Sequence, residues 1–270
     1  QHAQPDIHAI RALGMFQLPG AHVDRDRRAR DGQRIGLIRA RAQRLLGEAG
    51  VDGIRVRFVE LPYDDTWLRD SGPITLADDA GGFRLLDFRF TGWGGKFDAA
   101  QDDALVSGLV AQGLFGAAEH RRIDWALEGG AIESDGAGTL LTTWHCLHAR
   151  HPRQERAAIE ATLRDNLGAR RVLWLDHGYL QGDDTDAHID TLARFAPGHA
   201  IVYQACDDEA DLHHDELTRM GEELAALRTA SGQPYTLHPL PWPRPILDEG
   251  RRLAASYANY LIVNGAVLVP

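Results

Sequence analysis

Residues 182–190 read GDDTDAHID, and this stretch carries the densest set of chemically active side chains in the sequence. Four aspartates and one histidine share nine positions. Carboxylates this close repel one another, which predicts a positive partner: a metal ion, or a cationic substrate, with solvent screening as the remaining alternative. His188 and Asp190 lie two positions apart, so on an extended segment they would face the same way. His188 could act as a general acid or base, and Asp190 could bind a cation.

Two further polar loops carry the same kind of chemistry. In TWLRDSGP, residues 66–73, Trp67 precedes Asp70 by three positions. An indole face with a nearby carboxylate suits a guanidinium or an ammonium group. In LEGGAIESDG, residues 127–136, two glycines after Glu128 would let the backbone approach a ligand closely. Taken singly, each loop is equally well explained by a core aromatic or a turn cap.

The spacing of ligating residues argues against a metal site. Residues 182–190 fit neither the calcium loop, with its glycine and terminal glutamate, nor the zinc helix with two histidines four apart. The stretch HCLHARH, residues 145–151, contains Cys146 but has no second ligand pair, so we expect an exposed surface segment. Cys206 precedes an acidic run that would raise its thiol pKa. Neither cysteine is predicted to be a nucleophile, and no metal is expected.

Composition narrows the class of protein. The formal net charge of the 270-residue chain is −10, which excludes a nucleic-acid partner, because phosphate contacts need a basic face. Two distant cysteines predict no disulfide framework and a reducing cytoplasm. The longest apolar runs are far shorter than a membrane span, so no membrane partner is expected. A homodimer is left open.

The apolar pattern predicts a repeated order of helix, strand, polar loop and hairpin. The predicted helices cover 32–49, 104–114, 152–167 and 211–229, and the strands cover 54–58, 74–76, 83–90, 122–127, 172–175, 200–204 and 235–240. Asp70, Glu128 and His188 are separated by 58 and 60 residues. Repeats near sixty residues, arranged radially, would bring these loops to one central site. An α+β domain with accidental spacing is the alternative. A last predicted hairpin, 257–263 with 266–269, would begin an unfinished repeat.

Several segments together resemble the agmatine deiminase family, within the wider group of bacterial peptidyl-arginine-deiminase-like enzymes. They are LPYDDTWLRDSGP, TGWGGKFD, LEGGAIESDGAGTLLTT, WLDHGYLQGDDTDAHIDTLARF and SYANYLIVNGAVLVP, and the resemblance covers roughly 55–270. It implies an α/β fold: a five-bladed α/β propeller, the pentein, of ββαβ-type repeats in one catalytic domain over 1–270, with the last repeat incomplete. It also implies hydrolysis of agmatine to N-carbamoylputrescine and ammonia without metal or organic cofactor.

The resemblance also assigns roles. Asp70 and Asp190 match the aspartates that hold the guanidinium nitrogens, Glu128 the glutamate that supports the site, and His188 the general acid/base. The residues predicted to contact the substrate are Trp67, Trp93 and Asn259, in addition to Asp70 and Asp190. The partner expected is therefore a small cationic guanidinium compound.

The sequence departs from the family at two points. The family's nucleophilic cysteine follows a Gly/Ser-rich stretch beyond a segment like SYANYLIVNGAVLVP, and neither Cys146 nor Cys206 stands in that context. We therefore expect the catalytic cysteine to be missing from the sequence given. Arginine or peptidyl-arginine as substrate, or a non-catalytic pentein that binds a cation or a protein, stay open. Ala187 also replaces a glycine expected in many relatives.

Overall fold

The computed structural model describes residues 31–51, 53, 56–78, 80–263 and 266–269. They fall into two compact units, the smaller within Phe16–Pro62 and the larger within Tyr63–Pro270. None of the described helices is long and apolar enough to cross a membrane. The prediction of one domain over the whole chain stays a prediction.

The smaller unit contains helix α1, Asp31–Glu48, which confirms the predicted first helix. Its sequence is rich in Leu, Arg, Ala and Gln, all good helix formers, and the chain turns at Gly50 with a left-handed φ of 71°. The strand predicted over 54–58 is wrong for residues 56–58, which form no strand; Ile54 and Arg55 lie outside the described residues. Alternating side chains do not make a strand without a neighbouring strand to accept its hydrogen bonds.

The larger unit contains three three-stranded sheets with the same topology. In each, an antiparallel hairpin is followed by a helical connection and by a third strand that pairs parallel to the second. The strands are β1 Ile74–Ala77, β2 Phe83–Arg89 and β3 Glu119–Ala126; β4 Ile132–Ser134, β5 Thr139–Thr143 and β6 Arg171–Leu175; β7 Ala193–Ala196, β8 Ala200–Gln204 and β9 Thr236–Leu240. This is a ββαβ unit repeated three times in mixed α/β architecture, the repeat that the resemblance implied.

Helices and short strands complete the unit. The helices are α2 Leu68–Ser71, α3 Gly92–Gly95, α4 Ala100–Asp103, α5 Leu105–Ala111, α6 Trp144–Arg150, α7 Arg156–Leu167 and α8 His214–Ala226. After the third sheet come two small hairpins, β10 Leu247–Asp248 with β11 Arg251–Arg252, and β12 Leu261–Val263 with β13 Ala266–Leu268. The last of these confirms the hairpin predicted near the end of the sequence.

Helix α6 corrects the expectation that residues 145–151 form an exposed segment. Cys146 and Leu147 are fully buried and Arg150 is 9% exposed. Thr143 caps the helix, its Oγ1 accepting a hydrogen bond from the backbone N–H of Cys146 at 3.3 Å. The three histidines of HCLHARH suggested a polar surface, whereas the face that carries Cys146, Leu147 and Arg150 points inward.

The apolar core consists of two clusters that lie between the sheets and their helices. Helix α7 contributes Ile159, Leu163 and Leu167 to the first cluster, and α8 contributes Leu217 and Met220 with Leu224 to the second. Their three-to-four-residue spacing is that of a helix with one apolar face. Each cluster also contains residues of two successive sheets, so the helices pack between neighbouring repeats.

The loops before the first strand of each sheet carry the polar residues singled out in the sequence. Asp70 lies four positions before β1, Glu128 four positions before β4, and His188 five positions before β7. The three side chains therefore occupy equivalent places in three successive repeats. Such equivalence is the structural basis of the spacing near sixty residues.

Candidate active site

Four side chains from three repeats meet in one buried cluster: Asp70, Glu128, His188 and Asp190, with exposed fractions of 8%, 0%, 1% and 3%. The imidazole of His188 lies among the carboxylates. Its Nδ1 is 3.7 Å from Oδ1 of Asp70 and 4.0 Å from Oδ1 of Asp190, and its Nε2 is 3.7 Å from Oε2 of Glu128. The loops that the sequence suggested separately thus form a single site.

Asp70 is held rigidly by two donors. Its Oδ1 accepts from the backbone N–H of Gly130 at 2.9 Å, and its Oδ2 accepts from the indole Nε1 of Trp93 at 2.9 Å. Trp93 is 4% exposed and sits at a left-handed φ of 56°. Trp93 thus orients Asp70, and its role as a substrate contact, implied by the resemblance, stays a prediction.

Trp93→Phe should lower the free energy of unfolding by about 1.5–3 kcal/mol, the value of a hydrogen bond to a charged group. Phenylalanine keeps an aromatic ring against Phe90 and Phe97, whose centroids lie 5.2 and 5.7 Å away, but cannot donate to Asp70. Urea unfolding measures the change. An unchanged midpoint would show that the indole hydrogen bond does not stabilise the site.

Gly130 allows the cluster to close. A Cβ at this position would lie 2.6 Å from Nδ1 of His188, 2.7 Å from Oδ1 of Asp70 and 2.8 Å from Oδ2 of Asp190. All three distances are shorter than non-bonded atoms tolerate. The glycine after Glu128 was predicted to allow close approach of a ligand, and in the structure it allows close approach of three site residues.

Glu128 is anchored on one side only. Its Oε1 accepts from Nε of Arg150 at 2.7 Å, while its Oε2 has no hydrogen-bond partner within the described chain. Burial raises the pKa of Glu128, but the neighbouring His188 and Arg150 outweigh it and hold the pKa below its ordinary value. Glu128 is therefore an ionised carboxylate with one buried, uncommitted oxygen that faces the imidazole.

The acidic loop is shaped by hydrogen bonds and ion pairs of its own aspartates. Asp183 accepts hydrogen bonds from the backbone N–H groups of Thr185 and Ala187. Asp186 pairs with Lys96 at 2.7 Å and with Arg150 at 2.6 Å. Ala187 has a φ of 66°, the left-handed conformation that favours glycine, the residue that the resemblance predicts at this position in many relatives.

Asp190 is the second carboxylate with an uncommitted oxygen. Its Oδ2 is 3.3 Å from Nε of Arg69, whereas its Oδ1 has no hydrogen-bond partner among the described residues. Burial raises the pKa of Asp190 to about 6, with Asp70 adding to the effect and His188 opposing it. The charge of this carboxyl group is therefore sensitive to pH near neutrality.

His188 is a cation in this environment. Burial lowers the pKa of His188, but the Asp70 carboxylate and the Cys146 sulfur raise it well above its ordinary value. A proton-carrying imidazole between carboxylates can donate to a leaving group and take the proton back from water. This geometry is that of a general acid/base.

Cys146 joins the cluster, which sequence reasoning missed. Its Sγ, a carboxylate oxygen of Glu128 and a ring nitrogen of His188 all lie within 4.8 Å of one another. Burial raises the pKa of the Cys146 thiol, an effect that His188 partly offsets. Arg150, one turn further along α6, was missed for the same reason. The signal that could have found both is Thr143, a capping residue that starts a helix at HCLHARH.

Comparison with known proteins identifies the family. A family model described as Porphyromonas-type peptidyl-arginine deiminase matches residues 30–270. The chain belongs to this family. Agmatine deiminase from Stutzerimonas stutzeri is 35% identical over 253 residues, covering 84% of this chain and 68% of that protein. Agmatine deiminase from Pseudomonas aeruginosa is 34% identical over 247 residues, 82% of this chain and 66% of the relative.

Solved structures of deiminases are also similar. An agmatine deiminase from C. jejuni with substrate bound, a cysteine-to-serine variant, is 39% identical with a TM-score of 0.73, covering 80% of this chain and 62% of that one. A protein from Porphyromonas gingivalis, provisionally described as an arginine deiminase, is 48% identical with a TM-score of 0.79, covering 84% and 68%. The chain thus spans about two thirds of the length of these family members.

Two predicted substrate contacts lie outside the buried cluster. Trp67 immediately precedes α2 and is 58% exposed, so its indole faces solvent three residues from Asp70. Asn259 is half-buried in an irregular segment. The carbonyl oxygens of its neighbours Ala258 and Tyr260 accept from Arg194 at 3.4 and 2.7 Å. In a deiminase, an exposed aromatic and an amide could contact the outer part of a substrate, a role that stays a prediction for both.

Proposed function

We propose that this protein hydrolyses a guanidinium group, with agmatine and water as substrates and N-carbamoylputrescine and ammonia as products. The observation that carries the proposal is the pair of uncommitted acceptors, Oε2 of Glu128 and Oδ1 of Asp190, in a buried cluster of three carboxylates. Buried acceptors without donors are costly unless a ligand supplies the donors. A guanidinium supplies five N–H donors and a permanent positive charge.

The carboxylates would bind and orient the substrate. Asp70 and Asp190 hold the guanidinium nitrogens, and Glu128 completes the acceptor set. Paired carboxylates localise a charge that is otherwise delocalised over the whole group and fix the central carbon for attack. The rigid hold on Asp70 by Gly130 and Trp93 makes this orientation a property of the fold.

Proton transfer falls to His188. In the reaction implied by resemblance, a cysteine thiolate forms a bond to the guanidinium carbon, and His188 gives its proton to the nitrogen that leaves as ammonia. His188 then takes a proton from the water that cleaves the thiouronium carbon–sulfur bond, which returns the thiolate. The resemblance places that cysteine after a segment like SYANYLIVNGAVLVP, so neither Cys146 nor Cys206 is assigned this role.

The finer fold is also a proposal. Three ββαβ repeats with Asp70, Glu128 and His188 at matching positions support a five-bladed α/β propeller with the site on its axis. A radial arrangement explains why one loop of each repeat contributes to a common cluster. A cytoplasmic location and a homodimer stay predictions from the sequence.

A second candidate substrate is arginine, free or at a peptide terminus. The family model is described as a peptidyl-arginine deiminase, and the Porphyromonas gingivalis protein is 48% identical. The guanidinium end would bind in the same way. The far end differs, because agmatine ends in an ammonium group and arginine carries a carboxylate that would require a basic partner.

Ammonia release from agmatine, arginine and an arginine-terminated peptide, compared side by side with the purified full-length protein, tests the assignment. We expect release from agmatine, with equimolar N-carbamoylputrescine. Release from arginine alone would overturn the choice of substrate but not the reaction. Agmatine binding without ammonia from any of the three would support a non-catalytic, cation-binding protein.

The profile of kcat/KM for agmatine against pH should fall on its acid side as Asp190 is protonated. Because burial raises its pKa to about 6, lowering the pH through this value protonates the carboxyl group and removes a negative charge that the guanidinium needs. We expect kcat/KM for agmatine to fall below about pH 6. In Asp190→Asn the residual activity should lack this fall. If the activity of Asp190→Asn still falls with the same midpoint pH, a group other than Asp190 causes the fall.

A further inference from the structure

We infer that Glu128, Cys146 and His188 form a binding site for a thiophilic divalent cation such as Zn²⁺, and that the cation competes with the substrate. The site itself stands on its geometry alone. Only the competition rests on the proposed function. The cation would be an inhibitor and would take no part in the hydrolysis.

The spacing of the three ligand atoms fits such an ion. One oxygen of Glu128, the sulfur of Cys146 and one ring nitrogen of His188 lie within 4.8 Å of one another. The oxygen–nitrogen pair, Glu128 Oε2 and His188 Nε2, is separated by 3.7 Å. Bonds of about 2.0–2.3 Å in a tetrahedral site place ligand atoms about 3.3–3.8 Å apart. Shifts of less than about 1 Å would therefore complete the coordination.

Two buried ligand atoms of the site, one from Glu128 and one from His188, lack hydrogen-bond partners, which favours a bound ion. Among the described residues, neither Oε2 of Glu128 nor Nε2 of His188 has a hydrogen-bond partner. Both residues are almost completely buried, so water does not satisfy these atoms from the surface. An ion between them would bind both at once, whereas without it the two atoms face each other at 3.7 Å, too far apart for a hydrogen bond.

The surrounding contacts orient the ligands as in built metal sites. Oε1 of Glu128 is fixed by Arg150, which leaves Oε2 turned toward the site. The other ring nitrogen of His188 faces Asp70 at 3.7 Å. Shortened to hydrogen-bond distance, this contact would be the carboxylate–histidine arrangement that fixes the ring of a metal ligand. Thr143 bonds both the N–H of Cys146 and the carbonyl oxygen of Ala187, which holds the sulfur beside the histidine.

The charges around the site favour a cation. The carboxylates of Asp70 and Asp190 face the imidazole from the other side, and Glu128 is ionised. The opposing positive groups are Arg150, which is committed to Glu128 and Asp186, and Arg69, which lies 3.3 Å from Asp190. His188 opposes the ion as well until its imidazole releases a proton. A divalent ion would stabilise the thiolate that burial disfavours in the free protein. The Cys146 thiol and the protonated Nε2 of His188 therefore each release a proton when the ion binds.

Occupation of the site would block the proposed reaction. The ion would take the nitrogen of His188 that carries the transferable proton and the oxygen of Glu128 that a guanidinium needs. The sequence-based expectation that no metal serves as cofactor is compatible with this, because removal of the ion should raise activity or leave it unchanged.

A titration with CdCl₂, followed by the ultraviolet charge-transfer absorption of the Cd²⁺–thiolate bond, tests the site. The chain has two cysteines, and Cys206→Ser leaves Cys146 as the sole thiol. We expect one Cd²⁺ per chain and an unchanged band in Cys206→Ser, with the band lost in Cys146→Ser. An unchanged band in Cys206→Ser is enough to assign the absorption to Cys146. The test therefore remains decisive if Cys146→Ser fails to fold.

Absence of the band in the unaltered protein, or its loss in Cys206→Ser, would overturn the site. Competition is tested by repeating the titration with saturating agmatine, which should raise the apparent Kd for Cd²⁺ by about tenfold or more. An unchanged Kd, with agmatine shown by calorimetry to be bound, would overturn the competition. Agmatine that does not bind at all would count against the proposed function and not against the cation site.

Discussion

Gly130→Ala should reduce kcat/KM for agmatine by about a hundredfold or more and should lower the free energy of unfolding by about 1–3 kcal/mol. The added methyl group would lie 2.6–2.8 Å from atoms of Asp70, His188 and Asp190. None of these side chains can move without leaving its place in the site. A displacement of about 1 Å is enough to lose a hundredfold in rate.

The expected loss of activity and stability in Gly130→Ala comes from steric overlap of the new methyl group. Backbone strain does not contribute, because Gly130 is not one of the glycines with a positive φ. The matched control is Gly221→Ala in α8, where the new methyl group would lie 3.5 Å from the ring of Tyr203, an ordinary contact. That variant should gain up to about 1 kcal/mol of stability from helix propensity and keep full activity. Full activity in Gly130→Ala would contradict the geometry of the cluster.

His188→Ala should lower turnover of agmatine by about 10²–10⁴-fold, the usual contribution of a positioned general acid/base. Binding should persist, since the variant keeps all three carboxylates and loses a competing cation. The expected signature is therefore a fall in kcat without a comparable rise in the dissociation constant. Turnover that survives in His188→Ala would show that the role assigned to His188 is wrong.

The stability that His188→Ala loses should depend on pH in a direction set by the pKa of His188. The pKa of His188 is raised in the folded protein, so the protonated form is stabilised there. This contribution is fully present below the unfolded value of about 6.5 and is lost as the pH rises through the folded pKa. His188→Ala should therefore lose more stability at pH 6 than at alkaline pH. His238→Ala, at an exposed position of β9, is the control and should change neither activity nor stability.

Much of the site could be predicted from sequence because it repeats. Asp70, Glu128 and His188 stand at equivalent positions of three ββαβ units, so their spacing along the chain reported their proximity in space. Hairpins and long helices were predictable because each has a local signal in turn residues and apolar spacing. The strand expected at 54–58 was wrong for residues 56–58, because no strand among the described residues pairs with them.

Residues that act through tertiary contacts could not be predicted. Cys146 and Arg150 reach the site from α6, a helix whose histidines suggested a polar surface. The hydrogen bond from the indole of Trp93 to Asp70 joins residues 23 positions apart, and no local pattern indicated it. The role of Gly130 depends on three side chains from distant parts of the sequence, which no local pattern records.

Calorimetric titration with agmatine, at pH 7.5 where Asp190 is ionised, tests most directly whether the buried carboxylates form a guanidinium pocket. The unaltered protein should bind agmatine, and Asp190→Asn, which keeps the shape but removes the charge, should bind about 10–100-fold more weakly. Asp215→Asn, whose side chain is 93% exposed, should bind as the unaltered protein does. Equal affinity in Asp190→Asn and the unaltered protein would contradict the account.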